Sequence, residues 1–189
     1  PYKYDKFLRE KGIQCKVFNP FRPVLNIIQN NRDHRKICVI DGKTGFTGGI
    51  NLADEYINQK ERFGHWKDTA VMLKGDAVWS MTMMFLHMWN VVNGIQTPID
   101  YAAHSPHAYH PEEFEGSGFV QPFTDTPLDG ETLGENVYLN IINRAKRYVY
   151  ICTPYLIIDN EMMTALCLAA KSGVDVRIMT PGVPDKKMV

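Results

Sequence analysis

The sequence predicts an α/β protein with helices on both faces of a sheet. Three observations predict it. Helical and strand-like stretches alternate along the 189 residues. A helix–glycine–strand passage stands near each end. The stretch 76–92 is a clear helix, long enough to cover a sheet.

Taken in order, residues 2–11 (YKYDKFLREK) have helical composition, and Gly12 ends that helix as a C-cap glycine does. IQCKVF, 13–18, alternates like a strand. Residues 19–33 are rich in Pro and Asn and read as loop with a short helical turn. KICVID, 36–41, is a strand, and Asp41-Gly42 is a two-residue hairpin signal. KTGFTGG, 43–49, is its return strand, and 51–58 a short helix or turn. WKDTAVMLK, 66–74, alternates like a strand. In helix 76–92 the Met and aromatic residues read as core packing, because Met fills irregular gaps. Trp66 and Trp89 are read the same way, as core rather than as a contact with a bilayer. Residues 94–116 are irregular; His104, His107 and His110 lie there without companion carboxylates and read as surface loop rather than metal ligands. GFVQPF, 118–123, is strand-like; 130–146 a helix; RYVYICTPY, 147–155, a buried strand; 159–172 a helix ended by Gly173; and VDVRIMT, 174–180, a strand.

Lys+Arg equals Asp+Glu at 21 each, so the formal charge is zero. A chain that grips a long nucleic acid carries a basic excess, which is missing here. Cys15, Cys38, Cys152 and Cys167 form no C-x-x-C pair and no metal-ligand rhythm; they read as small buried hydrophobes. No run of 18 apolar residues is present to span a membrane. The chain opens on Pro1 in helical composition, so we expect it to begin inside a larger protein.

The chemically informative stretch is HRKICVIDGKTGFTGGIN, 34–51. On a strand, His34 and Lys36 share a face, which Cys38 and Ile40 continue into the core, while Arg35, Ile37 and Val39 point the other way. A histidine beside a lysine suits a phosphate: the imidazole attacks phosphorus or carries a proton, and the ammonium neutralises phosphoryl oxygens. Asp41 holds the turn. Gly48 and Gly49 let a phosphate approach the backbone, and Asn51 offers a carboxamide donor. A carboxylate on the other ring nitrogen orients an attacking imidazole, and Asp68, in the strand-like 66–74, is the candidate, with Asp54 and Glu55 as rivals.

The spacing H-x-K-x4-D-x6-G-G-x-N, met by His34, Lys36, Asp41, Gly48, Gly49 and Asn51, resembles the signature of the phospholipase D superfamily. GGINLADEY, HWKDTAVMLKGDAV, YVYICTPYLIIDNEM and GVDVRIMTPGVPDKKMV together resemble its bacterial cardiolipin synthases, along nearly the whole chain. The resemblance implies a phospholipase D-like fold: a mixed sheet with helices on both faces, a first repeat at 1–116 and the start of a second at 117–189. It implies His34, Lys36 and Asp41 as catalytic positions, Gly49 and Asn51 as phosphate-binding ones, and no metal or other cofactor. It implies a phosphatidyltransferase that joins two phosphatidylglycerols into cardiolipin, releases glycerol, and works through a phosphohistidine at a bacterial cell membrane, with spans upstream of this chain.

One such motif is half of the implied site. No second H-x-K-x4-D occurs; His65-Trp66-Lys67 begins like one, but Met stands at position 72. FLREKGIQCKVFNP (7–20) echoes LAAKSGVDVRIMTP (168–181), and the offset of 17 residues from Val17 to His34, applied to Ile178, falls beyond Val189. The second half is therefore expected from sequence after this chain or from a homodimer partner, and the 189 residues alone are expected to be inactive. The alternative is a phosphodiesterase of the same superfamily acting on nucleic acid as a homodimer. A non-enzymatic membrane scaffold with a relic site is a third reading, opposed by the intact motif.

Overall fold

The computed structural model describes residues 3–20, 33–62, 64–92, 98–106, 115–126 and 129–182. The described residues fall into two compact units, one within Pro1–Lys60 and Trp66–Phe123, the other within Glu61–His65 and Thr124–Val189. The expected repeats, 1–116 and 117–189, concern ancestry, which packing does not address; the packing boundary falls between Phe123 and Thr124.

The first unit contains helix α1 (Tyr4–Glu10), strands β1 (Ile37–Ile40), β2 (Thr44–Gly48) and β3 (Ala70–Lys74), helix α2 (Val78–Val91) and a 3-10 turn at Ala102–His104. The strands form an antiparallel sheet in the order β1-β2-β3. Asp41 and Gly42 turn the first hairpin with φ of +54° and +65°, and the Lys43 N–H donates to the Ile40 carbonyl at 3.1 Å. Both central residues are left-handed, which matches the twist of a tight hairpin and is tolerated by Asp and Gly.

One face of α2 is buried: Val78, Met81 and Thr82, at helical spacing. Thr82 Oγ1 donates back to the Val78 carbonyl at 3.0 Å, so the buried hydroxyl is satisfied. That face meets β2 at Gly45, where a Cβ would stand 2.8 Å from Met81 Sδ. Val39, paired with Gly45, lines a cleft with Thr82 and Phe85, and Ile37 lines one with Met84, Met88 and Trp89. This reverses the expected facing of β1. Ile37 and Val39 turn toward α2, and Cys38 and Ile40 are exposed. Alternation was read correctly, but Gly45 lies opposite Val39 and brings the helix to that side.

The second unit contains α3 (Leu133–Arg144), β4 (Tyr148–Cys152), α4 (Asn160–Lys171) and β5 (Asp175–Met179). β4 and β5 pair in parallel, and α4 is the crossover a parallel pair requires. Asp159 caps α4 by accepting from the Met162 N–H at 2.8 Å, and Gly173 follows the helix where the sequence placed a stop. Ile142, Ala165, Leu166, Ala169 and Val174 form the buried core, with Val149, Ile151 and Val176 packed on it. β4 is half-buried rather than fully buried: Tyr148, Tyr150 and Cys152 alternate outward.

The α/β class stands, with small sheets and four α-helices among the described residues. The segments 13–18 and 118–123 are not strands. Lys16 is held instead by α2: its Nζ donates to the Trp89 carbonyl at 2.7 Å and lies 4.3 Å from the centre of the Trp89 ring. Residues 51–58 form turns rather than a helix. Most of the expected loop at 19–33, and His107 and His110, lie outside the described residues. Among the described cysteines none is fully buried; Cys15 is half-buried, and Cys38, Cys152 and Cys167 are exposed. The expectation of buried thiols fails because Cys38, Cys152 and Cys167 occupy outward positions of β1, β4 and α4, and Cys15 lies outside any helix or strand.

Candidate active site

His34 and Lys36 meet at the entrance to β1. Lys36 Nζ lies 2.9 Å from His34 Nδ1, 3.3 Å from Nε2, and donates to the His34 carbonyl at 2.7 Å. An ammonium only donates, so the ring nitrogen it meets acts as acceptor. Just before them, Asp33 clasps Arg35: its Oδ1 accepts from Arg35 Nε at 2.8 Å and its Oδ2 from Nη2 at 3.0 Å. The Arg35 guanidinium holds the Asp33 carboxyl below the usual carboxylate range. Partial burial pushes the Lys36 ammonium below its ordinary pKa, against the opposing pull of Asp33 and Asp68.

Lys36 borders two clefts. One, of about 350 Å³, is lined by His34, Lys36, Thr47, Val71, Met81 and Phe123. The other, of about 510 Å³, is lined by Lys36, Cys38, Phe46, Asn51 and Leu52. Each wall is largely apolar with a cation at its edge, an arrangement that admits an anionic group attached to apolar chains.

The remaining motif residues occupy distinct places. Asp41 sits in the turn, at the far end of β1 from His34; seven residues of extended chain span roughly 20 Å. Asn51 Nδ2 donates to Tyr56 Oη at 2.6 Å. Gly49 makes room for a carboxylate: a Cβ there would stand 2.5 Å from Asp68 Oδ1 and 2.7 Å from Oδ2. Asp68 is half-buried, and its Oδ1 accepts from the Thr69 N–H at 2.7 Å. Its Oδ2 accepts from Trp66 Nε1 at 3.2 Å. Its charge is felt at Lys36. The rivals Asp54 and Glu55 lie in the turns at 54–58.

Sequence reasoning missed the aromatic pair beside this carboxylate. Tyr56 and Trp66 have ring centroids 4.5 Å apart. The main chain of Trp66 is clasped by Asn58, whose Nδ2 donates to the Trp66 carbonyl at 2.9 Å and whose Oδ1 accepts from its N–H at 2.6 Å. The available signal was the spacing Trp66-x-Asp68, which puts both side chains on one side of an extended segment.

Among the described residues, Glu135, Asp159 and Glu161 bring carboxylates within 4.8 Å of one another. Two of the three are exposed and Asp159 is committed to its helix cap, so the cluster reads as a solvated helix terminus. None of the described helices is long and apolar enough to cross a membrane.

Residues 138–189 match the family model described as "Cardiolipin synthase, PLD-like domain". An uncharacterized protein of Streptococcus mutans serotype c is 54% identical over 187 residues, covering 99% of this chain and 40% of its own length. A cardiolipin synthase of a Geobacillus species is 40% identical over 189 residues, covering 98% of this chain and 36% of its own. One of Alkalihalophilus pseudofirmus is 37% identical over 187 residues, with the same coverage of 98% and 36%. The chain thus spans well under half the length of these relatives. No solved structure matches it.

Proposed function

We propose that this chain, a relative of cardiolipin synthases along its whole length and the carrier of their phospholipase D-like domain at residues 138–189, supplies one half of a phosphatidyltransferase site built on His34 and Lys36. The observation that carries the reading is the contact between Lys36 Nζ and the His34 ring, 2.9 Å at Nδ1, at the mouth of largely apolar clefts.

The chemistry follows from these groups. An imidazole nitrogen attacks the phosphorus of phosphatidylglycerol; a P–N bond forms, the P–O bond to the head-group glycerol breaks, and an acid protonates the departing alkoxide. A hydroxyl of a second phosphatidylglycerol then gives its proton to a base and attacks phosphorus; the P–N bond breaks, and cardiolipin leaves. Lys36 neutralises the phosphoryl oxygens as charge gathers on them. Asn51 and the amide of Gly49 are proposed to bind the phosphate, Asp41 to fix the hairpin geometry, and Asp68 to orient the imidazole. Two histidines are needed, because one cannot be nucleophile and proton donor in the same step. The second H-x-K-x4-D half comes from the rest of the protein or from a second copy, and the 189 residues alone are proposed to be inactive. The protein acts at a bacterial membrane surface without a metal.

The test is the full-length protein incubated with phosphatidylglycerol vesicles. Cardiolipin and glycerol in equal amounts support the reading. Cleavage of plasmid DNA without lipid conversion favours the homodimeric phosphodiesterase.

A further inference from the structure

We infer that Trp66 is a positioning residue: its indole N–H fixes the Asp68 carboxylate, and its ring ties that carboxylate, through Tyr56, to Asn51. The inference deepens the proposed phosphatidyl-transfer reading and rests on it for its kinetic arm. Four contacts carry it. Trp66 Nε1 donates to Asp68 Oδ2 at 3.2 Å. The Tyr56 ring lies 4.5 Å from the Trp66 ring. Asn51 Nδ2 donates to Tyr56 Oη at 2.6 Å. Asn58 grips the Trp66 main chain from both sides, at 2.6 and 2.9 Å.

Each contact removes a freedom that Asp68 would otherwise have. Its Oδ1 accepts from the Thr69 N–H at 2.7 Å, and the absence of a Cβ at Gly49 leaves the space that the carboxylate fills. With both oxygens engaged, the side chain is held in one rotamer. A group that sets another group's orientation acts on turnover without touching substrate, as partners of catalytic and metal-binding histidines do. Indole suits the task because it only donates, so it cannot compete with the carboxylate for a proton. Tyr56 extends the same device to Asn51, so two motif-linked groups 17 residues apart move as one body.

Trp66→Phe keeps a ring against Tyr56 and removes only the N–H. In the full-length protein we expect kcat for cardiolipin formation to fall roughly tenfold to a hundredfold, with KM within about twofold, since a hydrogen bond to a charged group is lost from the site alone. In the Asp68→Asn background the same substitution should cost less than about threefold, because the two act as a unit. Equal losses in both backgrounds overturn the inference. Loss confined to thermal stability, with kcat unchanged in what remains folded, overturns it too. A second measurement does not need activity: the Trp66 indole N–H proton resonance should move upfield in Asp68→Asn, where the acceptor's charge is gone. An unmoved resonance overturns the inference even if Trp66→Phe fails to fold. Wild-type protein that forms no cardiolipin contradicts the transferase reading instead, and the resonance then decides the role of Trp66 independently.

Discussion

Adding one methyl group at Gly48 or at Gly49 should have different consequences, although the two are neighbours. Neither glycine has a left-handed φ, so any cost comes from space. A Cβ at Gly48 would stand 2.7 Å from the Thr69 carbonyl oxygen and 2.9 Å from Ala70 Cα and Cβ. Those are backbone and near-backbone atoms of the β3 side, so the β2–β3 pair must part by roughly half an ångström, an overpacking cost of about 1–3 kcal/mol. The three atoms nearest a Cβ at Gly49 all belong to the Asp68 carboxylate, at 2.5–2.9 Å, and that side chain can turn away. Turning loses its bonds to the Thr69 N–H and Trp66 Nε1, about 1 kcal/mol each in a half-exposed setting. Both alanines recover about 0.4–1 kcal/mol by restricting the unfolded chain. The expectation is a net loss of about 1 kcal/mol for each alanine, with Gly49→Ala the poorer enzyme. Denaturant titration followed by circular dichroism, beside a lipid-transfer assay, reads both. In an Asp68→Ala background the stability cost of Gly49→Ala should vanish. Persistence of that cost refutes the reasoning.

Two further outcomes follow from the cations and carboxylates around His34. Lys36→Arg should lower turnover roughly tenfold or more in the vesicle assay, because a planar fork cannot repeat the point contact with both the imidazole and the His34 carbonyl; unchanged turnover would mean that charge alone matters there. Asp33 has its folded-state pKa depressed by Arg35, so its stabilising effect is complete above the unfolded value of about 3.9 and is lost as pH falls through the lower folded value. The stability difference between wild type and Asp33→Asn should therefore be constant near neutrality and shrink to nothing in acid; a difference that grows below pH 4 contradicts the assignment.

Much of this arrangement was legible before any coordinates. Helical periodicity located α2, α3 and α4, and β-branched alternation located β4 and β5, because those patterns are local. The faces of β1 were not legible: Ile37 and Val39 are as apolar as Cys38 and Ile40, and alternation cannot choose a side when both are apolar. The choice rests on Gly45, whose missing side chain admits Met81. Residues 13–18 and 118–123 alternate as strands do, yet no ladder forms on them, because a strand needs a partner edge that sequence does not reveal. At the site, the pairing of His34 with Lys36 follows from their spacing of two. The stacking of Tyr56 on Trp66 and the space that Gly49 leaves for Asp68 join segments 10 and 19 residues apart, and no local pattern encodes them.

The central claim is that His34 takes part in phosphatidyl transfer, and His34→Ala in the full-length protein tests it most directly. His34 is exposed and, among the described residues, its side-chain hydrogen bonds are with Lys36, so the substitution should leave the fold intact by circular dichroism. Cardiolipin formed from phosphatidylglycerol vesicles should fall by roughly four to six orders of magnitude, as when a nucleophile or its proton partner is removed. Folded variant with activity within tenfold of wild type would contradict the account.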